Sequence, residues 1–258
     1  MGRYMAKIKK ESSNIFARFF DVKLYITLKN MLFNYKFRKY MLAKAYQKNK
    51  YLVNASKNMR MLDVGCGISP VSPLPSQTIF IDSDKNAIDL LNKQGYLALK
   101  GDISHLPINN KSIDCIFCSE VLEHVPDFDK SITEFKRILR NKGLLFLTVP
   151  THMHYWSFDD EYVGHLRRFD PLTLSKQLSN RGFKIIELKP IGSFIERLIT
   201  KLLVKSAIKR NEMPHKIDKG TIQLFRLANR IFFGLTYLGY LLNTQNSSSI
   251  LLVVAQKK

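Results

Sequence analysis

Two carboxylates and two glycines carry the first chemical signal in this chain. Met61-Leu62-Asp63-Val64 is an apolar run interrupted by an acid, and it turns on Gly65-Cys66-Gly67. A second run, Ile79-Phe80-Ile81, closes on Asp82, 19 residues after Asp63. Glycines at 65 and 67 let the backbone turn tightly and approach a ligand. An acid at the end of the second strand of a βαβ unit accepts hydrogen bonds from ribose hydroxyls. The pattern therefore predicts nucleoside binding. A dinucleotide fingerprint would need a third glycine where this chain has Pro70. S-adenosylmethionine has no pyrophosphate, so it needs that closing glycine less. Asp102, in Gly101-Asp102-Ile103, can then accept from an adenine amino group, and Asp63 can reach the methionine end.

A second group of residues could handle protons and an acceptor. Between the fifth apolar run and the next helix lie His152, His154, Trp156, Asp159, Asp160, Glu161, His165, Arg167 and Arg168, and His124 sits earlier in Leu122-Glu123-His124. If the nucleoside is S-adenosylmethionine, the chemistry would be methyl transfer, which requires an acceptor held in line with the departing sulfur and a group that takes the acceptor's proton. His165 and His124 are the candidate bases, and Trp156, Glu161, Arg167 and Arg168 are the candidate acceptor contacts. His152 and His154 are spaced i, i+2, which suits a shared ion only on an extended segment, so no metal is assigned.

These residues need a frame. Met59–Val64, Thr78–Ile81, Leu97–Lys100, Ile113–Cys118 and Leu144–Val149 are short apolar runs bounded by turn formers, the signature of buried parallel strands. Asp84–Gln94 and Asp127–Arg140 read as the helices between them, and Pro171–Asn180 as another, capped by Asp170. Phe183–Leu188 and Ile250–Ala255 add two strands, so the fold class is α/β, doubly wound, with an antiparallel edge. Residues 13–50 read as helices with stripes at Ile15–Phe20 and Phe33–Met41. An insertion, 191–247, holds a stripe from Ile191 through Phe194, Leu198 and Leu202 to Leu203, then a second helical stretch, Ile222–Leu242. Three units follow: a basic helical N-terminal cap (1–57), a core (58–190 with 248–258) and a basic amphipathic insertion (191–247).

The 258 residues carry a net charge of +20 and are 45% hydrophobic, which is ample for a globular core. The charge is uneven: +12 over 1–57, −1 over 58–150, +1 over 151–190 and +8 over 191–258. A neutral core between basic flanks favours an anionic surface bound by the flanks over a basic catalytic cleft. Cys66, Cys115 and Cys118 make no disulfide framework, and Cys115 and Cys118 point to opposite faces of a strand. No apolar h-region follows the basic N-terminus, Ala6 argues against myristoylation of Gly2, and the apolar run Ile231–Leu242 is too short to span a bilayer. The expected location is the cytoplasm, peripheral on the inner membrane face.

The blocks LDVGCG (62–67), IFIDSD (79–84), GDISHLP (101–107), IDCIFCSEVLEHVPDF (113–128) and LLFLTVP (144–150) stand in the order found in class I S-adenosylmethionine-dependent methyltransferases, which the chain resembles. CSEVLEHVPDF is similar to the branch containing ubiquinone-pathway O-methyltransferases. Asp160-Glu161-Tyr162-Val163-Gly164-His165-Leu166-Arg167-Arg168-Phe169 resembles a block of methyltransferases linked to glycans or lipids. The resemblance implies a Rossmann-like, mostly parallel seven-stranded sheet of order 3-2-1-4-5-7-6 that uses S-adenosyl-L-methionine as cofactor. It also implies a cofactor pocket lined by Asp63, Gly65, Gly67, Asp82, Asp102, Ile103 and Ser119. The expected reaction is O-methylation of a small-molecule, glycan or lipid-linked acceptor. The chain departs from the family in one loop. Three prolines within 70–75 forbid the usual first helix, so a short turn replaces it or the N-terminal helices supply its contact. The rival readings are an RNA methyltransferase, disfavoured because no RNA-binding module is evident, and a non-catalytic scaffold.

Overall fold

The computed structural model describes residues 30–53, 59–209, 218–242 and 248–258. The stripe at Ile15–Phe20 lies outside these residues. The described elements run α1 (Phe33–Asn49), β1 (Met61–Val64), β2 (Thr78–Asp82), α2 (Lys85–Lys93), β3 (Leu97–Lys100), β4 (Ile113–Ser119), α3 (Phe128–Ile138) and β5 (Leu139–Pro150). They continue with α4 (Phe158–Val163), α5 (Pro171–Asn180), β6 (Phe183–Pro190), α6 (Phe194–Lys209), α7 (Lys219–Leu241) and β7 (Ile250–Lys257). The strands form one sheet of order β3-β2-β1-β4-β5-β7-β6. The first five pair in parallel, and β7 lies antiparallel between β5 and β6.

Each face of the sheet is covered by helices, which is why its central strands are apolar on both sides. On one face Leu62, Ile116, Cys118, Leu145 and Val253 form a core with Phe135 of α3 and Leu178 of α5. On the other, Met61, Cys115, Phe117, Phe146 and Val254 meet α1. The alternation of a strand thus sends Cys115 and Cys118 to opposite faces, both fully buried. Phe117 stacks on Phe146 at 4.8 Å between centroids, and Tyr46 of α1 meets both rings edge-on. Such pairs add about 1 kcal/mol each beyond their burial. α1 also packs against the insertion through Phe33–Phe232 and Phe37–Phe233 contacts.

Helix starts follow the expected caps: Asp127 accepts from the Lys130 amide and Asp170 from the Thr173 amide, both at 2.9 Å. The boundary between α3 and β5 differs most from the sequence reading. Helix α3 ends at Ile138, and Arg140 lies in β5, where it pairs with buried Asp114 at 2.8 Å. The Lys111 and Ser112 amides take the carbonyls of Arg137 and Ile138, which ends the helix and starts the strand.

Candidate cofactor and acceptor site

Strand β1 ends in a turn at Gly65, whose φ of +68° suits glycine. A Cβ here would lie 2.4 Å from Val121 Cγ2, so the turn packs directly on the loop after β4. Asp82 ends β2; its Oδ2 accepts from the Gly67 amide at 2.7 Å and its Oδ1 from the Asp84 amide at 2.9 Å. These bonds hold the carboxylate at the sheet edge, with lone pairs remaining for a ligand. A cavity of about 380 Å³ opens there, lined by Gly65, Asp82, Asp102, Ile103, Glu120 and His124 among others. It lies at the carboxyl ends of the parallel strands, the expected ligand position in such a sheet.

The remaining residues assigned to the cofactor are placed differently. Gly67 contributes its amide to Asp82, and Ser119 shares a 2.7 Å hydrogen bond with Thr148. Asp102 lines the cavity, but its Oδ1 also accepts from the Ser104 hydroxyl and amide, which hold its carboxyl below the usual range. Asp63 sits beneath the loop and is fully buried. Its Oδ2 accepts from the Val71 and Ser72 amides at 2.7 and 2.8 Å. Burial pushes its pKa up to about 7 against those two bonds and the nearby Lys39 charge. The proline-rich loop therefore holds its shape without a helix; its regular element is the single 3-10 turn Pro75–Gln77. Tyr35 Oη and Lys39 Nζ of α1 donate to the Pro70 carbonyl at 2.7 and 3.0 Å. A short turn thus stands where the family's first helix would start, and α1 braces the loop from outside.

Beside the cavity is a charged cluster. Asp160, at the third position of α4, is fixed by Arg168, which donates from Nε and Nη2 to its two oxygens at 2.9 Å each. Its Oδ1 also lies 2.7 Å from His165 Nδ1. Burial works to raise the Asp160 pKa, but the His165 and Arg168 bonds more than offset it and hold it low. His165 presents Nε2 to Glu123 at 3.7 Å and packs edge-on against His124, 4.8 Å between centroids. His124 is therefore on the cavity wall, with His165 one ring behind it. The Gly164 carbonyl, 3.2 Å from His124 Nδ1, favours the tautomer with the proton on Nδ1 and the lone pair on Nε2. Burial, then the His165 charge, lowers the His124 pKa.

The residues assigned to the acceptor do not converge on one spot. Arg168 is committed to Asp160. Arg167 donates to the Pro126 carbonyl at 2.8 Å, and Trp156 Nε1 to Glu161 at 3.4 Å. Glu120, Glu123 and Glu196 were not singled out from the sequence. Glu120 follows β4 with a φ of +54° and turns a carboxyl oxygen into a buried position. Neither Glu123 oxygen meets a hydrogen-bond donor among the described residues. Burial and then Glu120 push the Glu123 pKa well up. Glu196, buried in the first turn of α6, is pushed up to about 7 by burial, against the Arg38 charge from α1. The one signal for them was an acid isolated inside an apolar stretch, as in Val121-Leu122-Glu123 and Phe194-Ile195-Glu196. Glu123, His124 and His165 each offer a ligand atom within 4.8 Å of the others, the geometry a cation would need.

Comparison with known proteins agrees with this architecture. A family model described as a methyltransferase domain matches residues 36–188. An uncharacterized protein of Methanocaldococcus jannaschii is 32% identical over 135 residues, covering 50% of this chain and 57% of that protein. A probable S-adenosylmethionine-dependent methyltransferase of Mycobacterium tuberculosis is 25% identical over 158 residues, covering 58% and 56%. The chain thus spans little more than half the length of these curated relatives. A solved structure, a putative sarcosine dimethylglycine methyltransferase from Galdieria sulphuraria, shares the fold with a TM-score of 0.55 at 12% identity, covering 85% of each chain.

Proposed function

The chain belongs to the methyltransferase-domain family, and from that premise we propose that it transfers a methyl group from S-adenosylmethionine to an oxygen of a glycan or lipid-linked acceptor. The observation that carries this reading is one cavity lined both by Asp82, the ribose-binding acid, and by the imidazole of His124. Asp82 suits the ribose hydroxyls, the Gly65 turn packed on Val121 lines the cavity beside them, and Asp102 and Ile103 suit the adenine. The cofactor supplies an electrophilic methyl group when bound. His124 Nε2 takes the acceptor proton as its oxygen attacks, and its lowered pKa keeps it neutral for that task. The Asp160–Arg168 pair anchors His165, which supports His124 from behind. The lipid-linked or glycan class rests on the resemblance of the 160–169 block and on the basic flanks.

Calorimetry with S-adenosylmethionine tests the reading, with Asp82→Ala as control. Binding to the wild type that is lost in the variant is the expected result. A wild type that binds no cofactor would sink the proposal. Incorporation of labelled methyl into the lipid-extractable or glycan fraction of a membrane extract would identify the acceptor class, and incorporation into RNA would overturn it.

A further inference from the structure

Helix α7 is apolar on both faces: Phe232 and Phe233 pack inward against α1, and a second apolar stripe faces outward. Its inner face holds Asn229, whose Oδ1 accepts from the Phe33 amide at 2.9 Å, and also Thr236, Tyr237 and Tyr240 against α1 and the core. Its outer face exposes Leu224, Leu227, Ile231, Leu235, Leu238 and Leu241, each at least 39% accessible. A surface helix of a water-soluble domain normally turns charged and polar residues to that outer side. From Ile231 to Gln256 the sequence has no charged residue. Helix α6 repeats the pattern on a smaller scale: Glu196 points inward, while Phe194, Leu198 and Leu202 are exposed. The stripe read as continuous from Ile191 to Leu203 therefore splits, with Ile191 in the core. The two helices meet where Gly239 approaches Ser193, with its built Cβ 2.7 Å from Ser193 Oγ.

We infer that the exposed faces of α6 and α7 dock in the plane of an anionic lipid bilayer. No helix among the described residues is long and apolar enough to cross a membrane, so the stripe would lie in the interface rather than span it. At 1.5 Å per residue α7 would lay about 35 Å of leucine-rich face along the surface. Charge selects the occupant. Arg226 and Arg230 are exposed at the start of the stripe, and residues 191–258 and 1–57 carry +8 and +12. Anionic lipid attracts such residues by about 1 kcal/mol each near the surface. A second copy of the chain would instead bring together two bodies of +20. The apolar face supplies insertion and the basic flanks supply attraction, so neither alone suffices for stable binding.

Flotation of the full chain with vesicles tests this, using phosphatidylcholine alone and phosphatidylcholine with about 30% phosphatidylglycerol. The wild type is expected to float with the anionic vesicles, at least tenfold more than with the neutral ones, and to be released by high salt. Ile231→Asp with Leu238→Asp, both on the exposed face, should sink while still binding S-adenosylmethionine. Failure of the wild type to float, or equal flotation of the variant, overturns the inference. So does a concentration-dependent dimer in sedimentation that the same variant abolishes, because a second copy would then own the face. Cofactor binding is read separately, so docking and methyl transfer can fail independently.

Discussion

Gly65, Asp82 and Asp102 line one side of the cleft from the ends of adjacent strands, and backbone amides hold them in place. Glu123, Asp160, His165 and Glu196 gather on the other side from a loop, a short helix and the insertion, with Arg38 reaching in from α1. The first side has little freedom to change, because its shape is set by strand register and by a turn that a Cβ would break. The second is a set of buried charges whose balance depends on where each element sits. A sheet edge is a template that fixes one ligand. A charge cluster assembled from a loop and two helices can be retuned, which would suit the side proposed to meet the acceptor.

The sharpest test of this contrast is a variant that stops turnover without touching cofactor affinity. His124→Gln should lower methyl transfer by about 10²–10⁴-fold while the cofactor Kd in calorimetry shifts by no more than about threefold. A large loss of affinity would merge the two sides. The converse variant, Asp82→Ala, should weaken cofactor binding by about 100-fold, the effect of losing charge-assisted bonds to two hydroxyls.

Protonation gives a third handle, through Glu196 in the buried charge cluster. Glu196 has its pKa raised from 4.5 to about 7 by burial. Between those values the folded chain binds more protons than the unfolded one, so stability falls as pH rises through the window and the full loss is present above it. Glu196→Gln should match the wild type in urea unfolding near pH 4 and exceed it near pH 8 by at most about 3 kcal/mol. A slope should persist, because Asp63 titrates in the same direction on the other side. Equal stability at both pH values would show that the Glu196 charge costs nothing. The smallest expected effect is that of Tyr35→Phe. The Pro70 carbonyl keeps Lys39 as a donor, so the loss should be about 1 kcal/mol or less, seen as a drop of a few degrees in Tm.

The same contrast explains what could be read from the sequence. The strands and Asp82 were legible because short apolar runs between turn formers leave few alternatives to a doubly wound sheet, while the strand order came from the family resemblance. Asp63 was legible as an acid at a strand end but not in its partners, since Val71 and Ser72 belong to a loop with no pattern of its own. Arg168 could be paired with the 159–161 acids or reserved for a substrate, and only the fold of α4 resolves this in favour of Asp160. Glu196 was hidden because periodicity reports which residues share a face and not which face turns inward. Helix α6 starts at Phe194, and that phase sets its one acid toward the sheet.

The position of β7 also bears on how the molecule comes together. This strand lies second from the edge, between β5 and β6, yet the chain reaches it only after α6 and α7. Thr151 and Ser248, joined by a 2.6 Å hydrogen bond where that slot closes, are 97 residues apart in sequence. Closing such a loop costs entropy before any pairing rewards it. The parallel half of the sheet can form from neighbouring βα units, while the slot stays open with two unpaired strand edges until the hairpin has returned the chain. Refolding should then be slow in its last step, and the β5 and β6 edges are where a partly folded chain is most exposed to pairing with another.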